Sequence, residues 1–210
     1  MRLRWRKSVS VPALAALAVI AFGCRATLER APAPRIATHP EAMVVTPEDH
    51  ASRIGARILR EGGNAADAAI AVHFALAVTY PQAGNLGGGG FMLYRDAGGE
   101  IHALDFRETA PRNSDPAAYL DEDGRPLPDV AWRGGLAVGV PGSVAGLAHA
   151  HEAWGAHAWA EVVAPAAELA REGWILNERD AALFEMTGSH LLQDSDAASV
   201  FAPAGRLPRA

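Results

Sequence analysis

Cysteine occurs once in the 210 residues, at Cys24. A lone thiol excludes an internal disulfide and any zinc site built on several cysteines. Lysine also occurs once, at Lys7. The formal net charge is −5, and taking away the four cations Arg2, Arg4, Arg6 and Lys7 leaves the remainder near −9. Such a chain lacks the basic stripe that nucleic-acid binding requires. Histidine is present at His39, His50, His73, His102, His149, His151, His157 and His190, yet no H-x-x-x-H or H-E-x-x-H spacing occurs, so no metal-binding helix face is indicated. The whole chain is 50% hydrophobic and 20% charged, the balance of an ordinary globular protein, and after removal of a leader there is length for one domain and one sizeable core.

The start of the chain reads as a targeting segment. Arg2, Arg4, Arg6 and Lys7 form a positive region, and the apolar run 11–22 has the length of a signal-peptide core, short of a bilayer span. Ala21-Phe22-Gly23-Cys24 resembles a bacterial lipobox, in which the cysteine is lipidated and becomes the mature N-terminus. Ala21 stands where leucine is commoner and Phe22 is bulky for its place, so plain secretion stands as the alternative. Residues 1–24 are therefore expected to be a signal peptide of lipoprotein type. Residues 25–42, rich in Ala, Pro and Arg and without periodicity, are expected to be a flexible linker. The folded domain is expected over 43–210.

Within that domain a short strand is expected at 43–45. A first helix follows, with Thr46 as N-cap, Pro47 at its first position, and Ala51, Ile54, Gly55, Ile58 and Leu59 on one face. Gly62-Gly63 stops it. Asn64 caps a second helix over 65–79, with Asp67 at the third position of a capping box. This helix is apolar nearly all round and should be central. A glycine loop, 84–90, leads into strands at 91–95 and 101–108, joined by a turn containing Gly98-Gly99. Leu104 and Phe106 alternate with Asp105 and Arg107. A further strand is expected at 136–140 and helices at 142–154, 159–172 and 177–192, with no closing element after 193. Helices, then a hairpin, then helices predict an α+β layered domain rather than βαβ units.

Few residues in this pattern carry chemistry. The glycine loop follows a helix and opens a strand, and Phe91 stands where a P-loop needs lysine, so a phosphate cradle is excluded. Two readings of it stay open: a tight connection packed under a neighbour, or the wall of a site, each using left-handed backbone or close approach. His73 reads as a hydrogen-bonded core residue. Ser143 lies in Gly142-Ser143-Val144-Ala145-Gly146, which misses the G-x-S-x-G spacing, and reads as a helix cap. Arg107, at a strand end, is either a bidentate holder of a carboxylate or a surface cation paired with Asp105 or Glu108.

The runs Glu61-Gly62-Gly63-Asn64-Ala65-Ala66-Asp67-Ala68-Ala69, Pro81-Gln82-Ala83-Gly84-Asn85-Leu86-Gly87-Gly88-Gly89-Gly90-Phe91-Met92, Asp105-Phe106-Arg107-Glu108-Thr109-Ala110-Pro111, Pro141-Gly142-Ser143-Val144-Ala145-Gly146 and Leu169-Ala170-Arg171-Glu172-Gly173 resemble, in this order, the γ-glutamyltranspeptidase (glutathione hydrolase) family. The resemblance covers about 43–183. It implies an N-terminal-nucleophile hydrolase fold, an αββα sandwich of which this chain holds the N-terminal portion of the large subunit. It implies a precursor that cuts itself into large and small subunits. The small subunit's new N-terminal threonine, with its own amine as base, attacks the γ-glutamyl amide of glutathione and passes the acyl group to water, amino acids or peptides. No cofactor is implied. None of Thr27, Thr38, Thr46, Thr79, Thr109 or Thr187 sits in the family's nucleophile context, so the catalytic threonine is expected beyond residue 210 and the chain alone is expected to be inactive. One binding residue carries over: Arg107, matching the arginine that holds the donor's α-carboxylate. The implied partners are glutathione and other γ-glutamyl compounds, the small subunit and, through Cys24, a membrane lipid. The implied location is periplasmic or cell-envelope. Relatives of this fold cleave other amides, including β-lactam side chains and poly-γ-glutamate, so an exported acylase stands as an alternative, as does a non-enzymatic lipoprotein. In the chain by itself, helix 65–79 and residues 91–93 are expected to face water.

Overall fold

The apolar run after Asn64 decides the architecture. In the computed structural model, which describes residues 41–207, it forms a helix over Ala65–Thr79 packed against three others. The leader, Cys24 and residues 25–40 lie outside the described residues. The helices are α1 (Asp49–Arg60), α2 (Ala65–Thr79), a short α3 (Pro128–Trp132), α4 (Ser143–Trp154), α5 (Trp159–Glu172), α6 (Glu178–Thr187) and α7 (Ser195–Phe201). Between α2 and α3 lie strands β1 (Phe91–Arg95) and β2 (Ile101–Asp105). They pair antiparallel with Phe91 opposite Asp105 and Arg95 opposite Ile101.

α2 packs on α1, α4 and α5. Its residues Ala68, Ile70, Ala71, Phe74 and Ala75 join Ala51 and Ile58 from α1, Leu147 and Ala150 from α4, and Val162 and Ala166 from α5 in one core. Ile70 and Phe74 each contribute roughly 1.5–3 kcal/mol by leaving water. The helix is central and buried as its composition predicts, and the further expectation that its faces stand open to water in the chain by itself is corrected: its large side chains find partners within the chain. Polar groups hold its ends. Asn64 Oδ1 accepts from the amides of Ala66 and Asp67, and Asp67 returns a bond from the Asn64 amide, the capping box read from the sequence. Asp67 is fully buried and also accepts from the Ala156 amide at 3.0 Å, while Asn64 Nδ2 donates to the Trp154 carbonyl at 2.6 Å. One cap thus ties the start of α2 to the end of α4. At the other end, Thr79 donates to Glu48 Oε2 at 2.9 Å, and the same oxygen accepts from the Ala51 amide.

Several boundaries differ from expectation. The N-cap of α1 is Glu48, not Thr46. The Thr46 hydroxyl instead bonds Ser52 and the Glu48 backbone just before the helix. Residues 43–45 form no strand. The expected strand at 136–140 is a turn of 3-10 helix over Gly135–Ala137, with Val140 alone bridging to Thr109. β2 ends at Asp105 because its partner strand ends at Phe91, although the in-out alternation runs on through buried Phe106 and exposed Arg107. The helix expected over 177–192 stops at Thr187, before Gly188, and α7 closes a segment expected to be irregular.

The hairpin turns one face inward. Tyr94 stacks on Trp154 of α4 with centroids 4.9 Å apart, and His102 lies beside both. Its other face presents Phe91, Leu93 and Ile101, all more than 60% exposed. No helix among the described residues is long and apolar enough to cross a membrane.

Candidate functional site

The site is built around the chain leaving β2. Phe106 continues the ladder by one bond, its amide donating to the Gly90 carbonyl at 3.0 Å. Arg107 follows, its amide donating to Asp105 Oδ1 at 3.0 Å. Thr109 and Val140 then exchange backbone bonds of 3.3 and 2.8 Å. The main chain at Arg107 is therefore pinned on both sides. Its guanidinium is exposed and makes no ion pair or hydrogen bond among the described residues. Asp105 is engaged with the Arg107 backbone rather than with its side chain. The Glu108 carboxylate lies against Gly89, where an added methyl would come within 2.6 Å of Oε2. An arginine head held on a fixed base with its five donors open is arranged to receive a planar anion in two parallel bonds.

The glycine loop forms the adjoining surface. Gly88 carbonyl accepts from the amides of Gly142 and Ser143 at 2.8 and 3.0 Å, joining the loop to the start of α4. None of Gly84, Gly87, Gly88, Gly89 or Gly90 uses left-handed backbone. Close approach is what the loop requires: a methyl on Gly89 would strike the Glu108 amide and the Phe106 carbonyl. The reading as a connection packed under a neighbour holds, and that neighbour is the segment carrying Arg107.

Of two further polar residues, Ser143 differs from expectation and His73 does not. Ser143 does not cap α4; Gly142 holds the cap position, and the Ser143 hydroxyl is buried with no hydrogen-bond partner among the described residues. His73 is partly buried, meets Phe106 edge-on at 6.4 Å and bonds the Asn85 backbone, while its Nε2 has no hydrogen-bond partner among the described residues. Burial holds its pKa below the ordinary 6.5, outweighing the backbone bond to Asn85, which acts in the other direction. It is a neutral packing residue that also touches the start of the glycine loop. The hairpin turn brings ligand atoms of Asp96, Glu100 and His102 within 4.8 Å of one another. Helical histidine spacing could not reveal this group, since strand pairing assembles it. Asp96 already bonds His102 at 3.2 Å and the Glu100 amide at 2.9 Å, and the His102 bond lowers its pKa.

Residues 51–210 match the family described as gamma-glutamyltranspeptidase. The chain belongs to the γ-glutamyltranspeptidase family. It is 41% identical over 194 residues to the glutathione hydrolase proenzyme of Escherichia coli (strain K12), an alignment covering 87% of this chain and 33% of that protein. It is 48% identical over 138 residues to the glutathione hydrolase proenzyme of Pseudomonas sp. (strain A14), covering 66% of this chain and 24% of that one. This γ-glutamyltranspeptidase-family chain thus spans about a third or less of the length of these curated relatives. Among solved structures it is similar to Helicobacter pylori γ-glutamyltranspeptidase, with a TM-score of 0.79 and 38% identity, covering 83% of this chain and 50% of that one. It is also similar to cephalosporin acylase from Bacillus halodurans, with a TM-score of 0.65 and 26% identity over 83% of this chain and 36% of that one. The fold is the α+β, N-terminal-nucleophile hydrolase type, present as a portion of the family's domain.

Proposed function

We propose that this chain is the N-terminal part of a self-cleaving γ-glutamyltransferase/glutathione hydrolase precursor, and that Arg107 holds the α-carboxylate of the γ-glutamyl donor. The observation that carries this reading is the Arg107 guanidinium, open and unpaired among the described residues on a main chain pinned at Asp105 and Thr109. The family membership and the proenzyme relatives support the rest. In this reading the new N-terminal threonine of a small subunit, from the same precursor, attacks the donor's γ-carbonyl. Its amine takes the hydroxyl proton and returns it to the leaving amine, and the acyl-enzyme passes to water or to an amino acid or peptide. The donor's carboxylate lies away from the bond that breaks, so a fixed arginine there selects γ-glutamyl from other acyl groups without touching the reacting atoms. We further infer export by the leader to the periplasm or cell envelope, with Cys24 as the lipidation site and residues 25–42 as the tether.

The test is kinetic. In the full-length precursor, Arg107→Lys should raise KM for a γ-glutamyl anilide strongly, because an ammonium cannot reproduce the planar fork. Arg107→Ala should lose roughly 2–5 kcal/mol in kcat/KM, as for truncating one partner of a buried charge pair. Self-cleavage, followed on a gel, should survive both, since the scissile bond presents no free glutamate carboxylate. The 210-residue chain alone should turn over no donor. Near-normal KM in both variants, or turnover by the purified chain, would sink the reading.

A further inference from the structure

Phe106 separates the hairpin from Arg107, and four glycines, Gly89, Gly90, Gly142 and Gly146, lie against it. It is 9% exposed. A methyl on Gly90 would stand 3.0 Å from its ring, one on Gly146 of α4 would overlap its Cβ and ring, and one on Gly142 would overlap its carbonyl oxygen. His73 closes a further side of the ring edge-on. The ring thus sits in a socket made by the glycine loop and the first turn of α4, which the bonds from Gly142 and Ser143 to Gly88 hold together. Close-packed contacts of this kind transmit small displacements, because there is no free volume to absorb them. The first residue beyond the socket is Arg107.

We propose that Phe106 is a positioning residue for Arg107: its ring, seated against Gly90 and Gly146, fixes the point from which the guanidinium reaches the donor's carboxylate. This rests on the reading of Arg107 given above. It gives the glycines at 89, 90, 142 and 146 one shared purpose, to admit an aromatic ring and its main chain where any side chain would push them outward. A displacement of the order of an ångström at Arg107 spoils a bidentate contact while leaving the distant nucleophile untouched.

The experiment uses the full-length, self-cleaved enzyme and two donors, a γ-glutamyl anilide and the analogue lacking only the α-carboxylate. Phe106→Leu should raise KM for the γ-glutamyl donor about tenfold with kcat within about twofold, and leave the analogue's turnover unchanged. Preference for the carboxylate then falls about tenfold. Gly146→Ala should do the same by pushing the ring, and the double variant should regain none of the preference, since leucine keeps the Cβ and Cγ that the added methyl meets. Phe106→Met serves where leucine blocks maturation. A fall in kcat with both donors affected equally would show a merely structural role and overturn the proposal. Arg107→Ala is measured alongside. If it abolishes the preference while Phe106→Leu and Phe106→Met keep it, the positioning role alone fails. If it too leaves the preference intact, the reading of Arg107 fails and the proposal falls with it.

Discussion

A histidine within an apolar helix has two ring nitrogens to satisfy, and His73 satisfies one. Its buried Nε2 has no partner among the described residues and its pKa is held down by burial. The sign of the consequence is fixed. The unfolded chain takes up a proton on His73 as pH falls through the ordinary value of 6.5, whereas the folded state resists it. The group therefore costs no stability above 6.5 and an increasing amount below it. His73→Gln, which keeps a side-chain amide for Asn85, should make the fall in Tm of the full-length protein between pH 7.5 and 5.5 smaller than in the parent. An equal fall in both would show that His73 stays neutral, or charges freely, in folded and unfolded states alike. Residue-level readings from sequence succeeded where the partner was local. Asn64 and Asp67 bond within one helical turn, and the capping box was legible. Ser143 was misread because serine beside glycine at a helix start suggests a cap, whereas Gly142 takes that position and the Ser143 amide is committed to Gly88. Arg107 was singled out by type and place with two readings left open, and the structure shows Asp105 bonded to its backbone and its head group without an ion pair among the described residues.

At the scale of elements, the central helices and the paired strands were read closely, and the two strands expected outside the hairpin were not. The bounds of α2 and α5 agree with expectation, since period, caps and a following glycine or turn are all short-range signals. A strand exists only where a partner runs beside it, and 43–45 and 136–140 have the composition without the partner. The hairpin is the reverse case: both strands form, yet a two-stranded sheet is marginal alone and here one face rests on Trp154 while the other is bare. Phe91, Leu93 and Ile101 form that bare apolar face. Phe91→Thr, Leu93→Thr and Ile101→Thr combined keep the β propensity and remove the apolar surface. In the chain expressed alone they should shift size-exclusion profiles from aggregate towards monomer. In the full-length precursor they should lower the yield of self-cleaved enzyme, where further chain is expected to cover this face. Unchanged aggregation would locate the sticky surface elsewhere, with the apolar cleft lined by Pro81, Leu183, Phe184, Leu191 and Phe201 the next place to look.

For the whole molecule the open quantity is where it works. Two signals decide firm attachment to a membrane, since one acyl chain holds a protein only marginally and several hold it well. Expressed with its own leader, the full-length protein should partition with membranes, and Cys24→Ser should release it to the soluble periplasmic fraction with activity retained. Equal partition of both forms would remove the lipid anchor while leaving export standing.

What the sequence determined by itself is the set of statements that need only neighbours: the central helices, the capping box of α2, the α+β class, and the ordered motifs that resemble the family to which the chain belongs. What the tertiary structure decided is which distant groups meet. Gly146 is one small residue of a helix until Phe106 is found against it, and Gly88 is one of a run until Gly142 and Ser143 donate to it. The physical reason is one of range. Capping and periodicity act within a turn or two of chain, so composition specifies them, whereas a socket is made of absent side chains on separate segments and becomes visible only when packing brings them together.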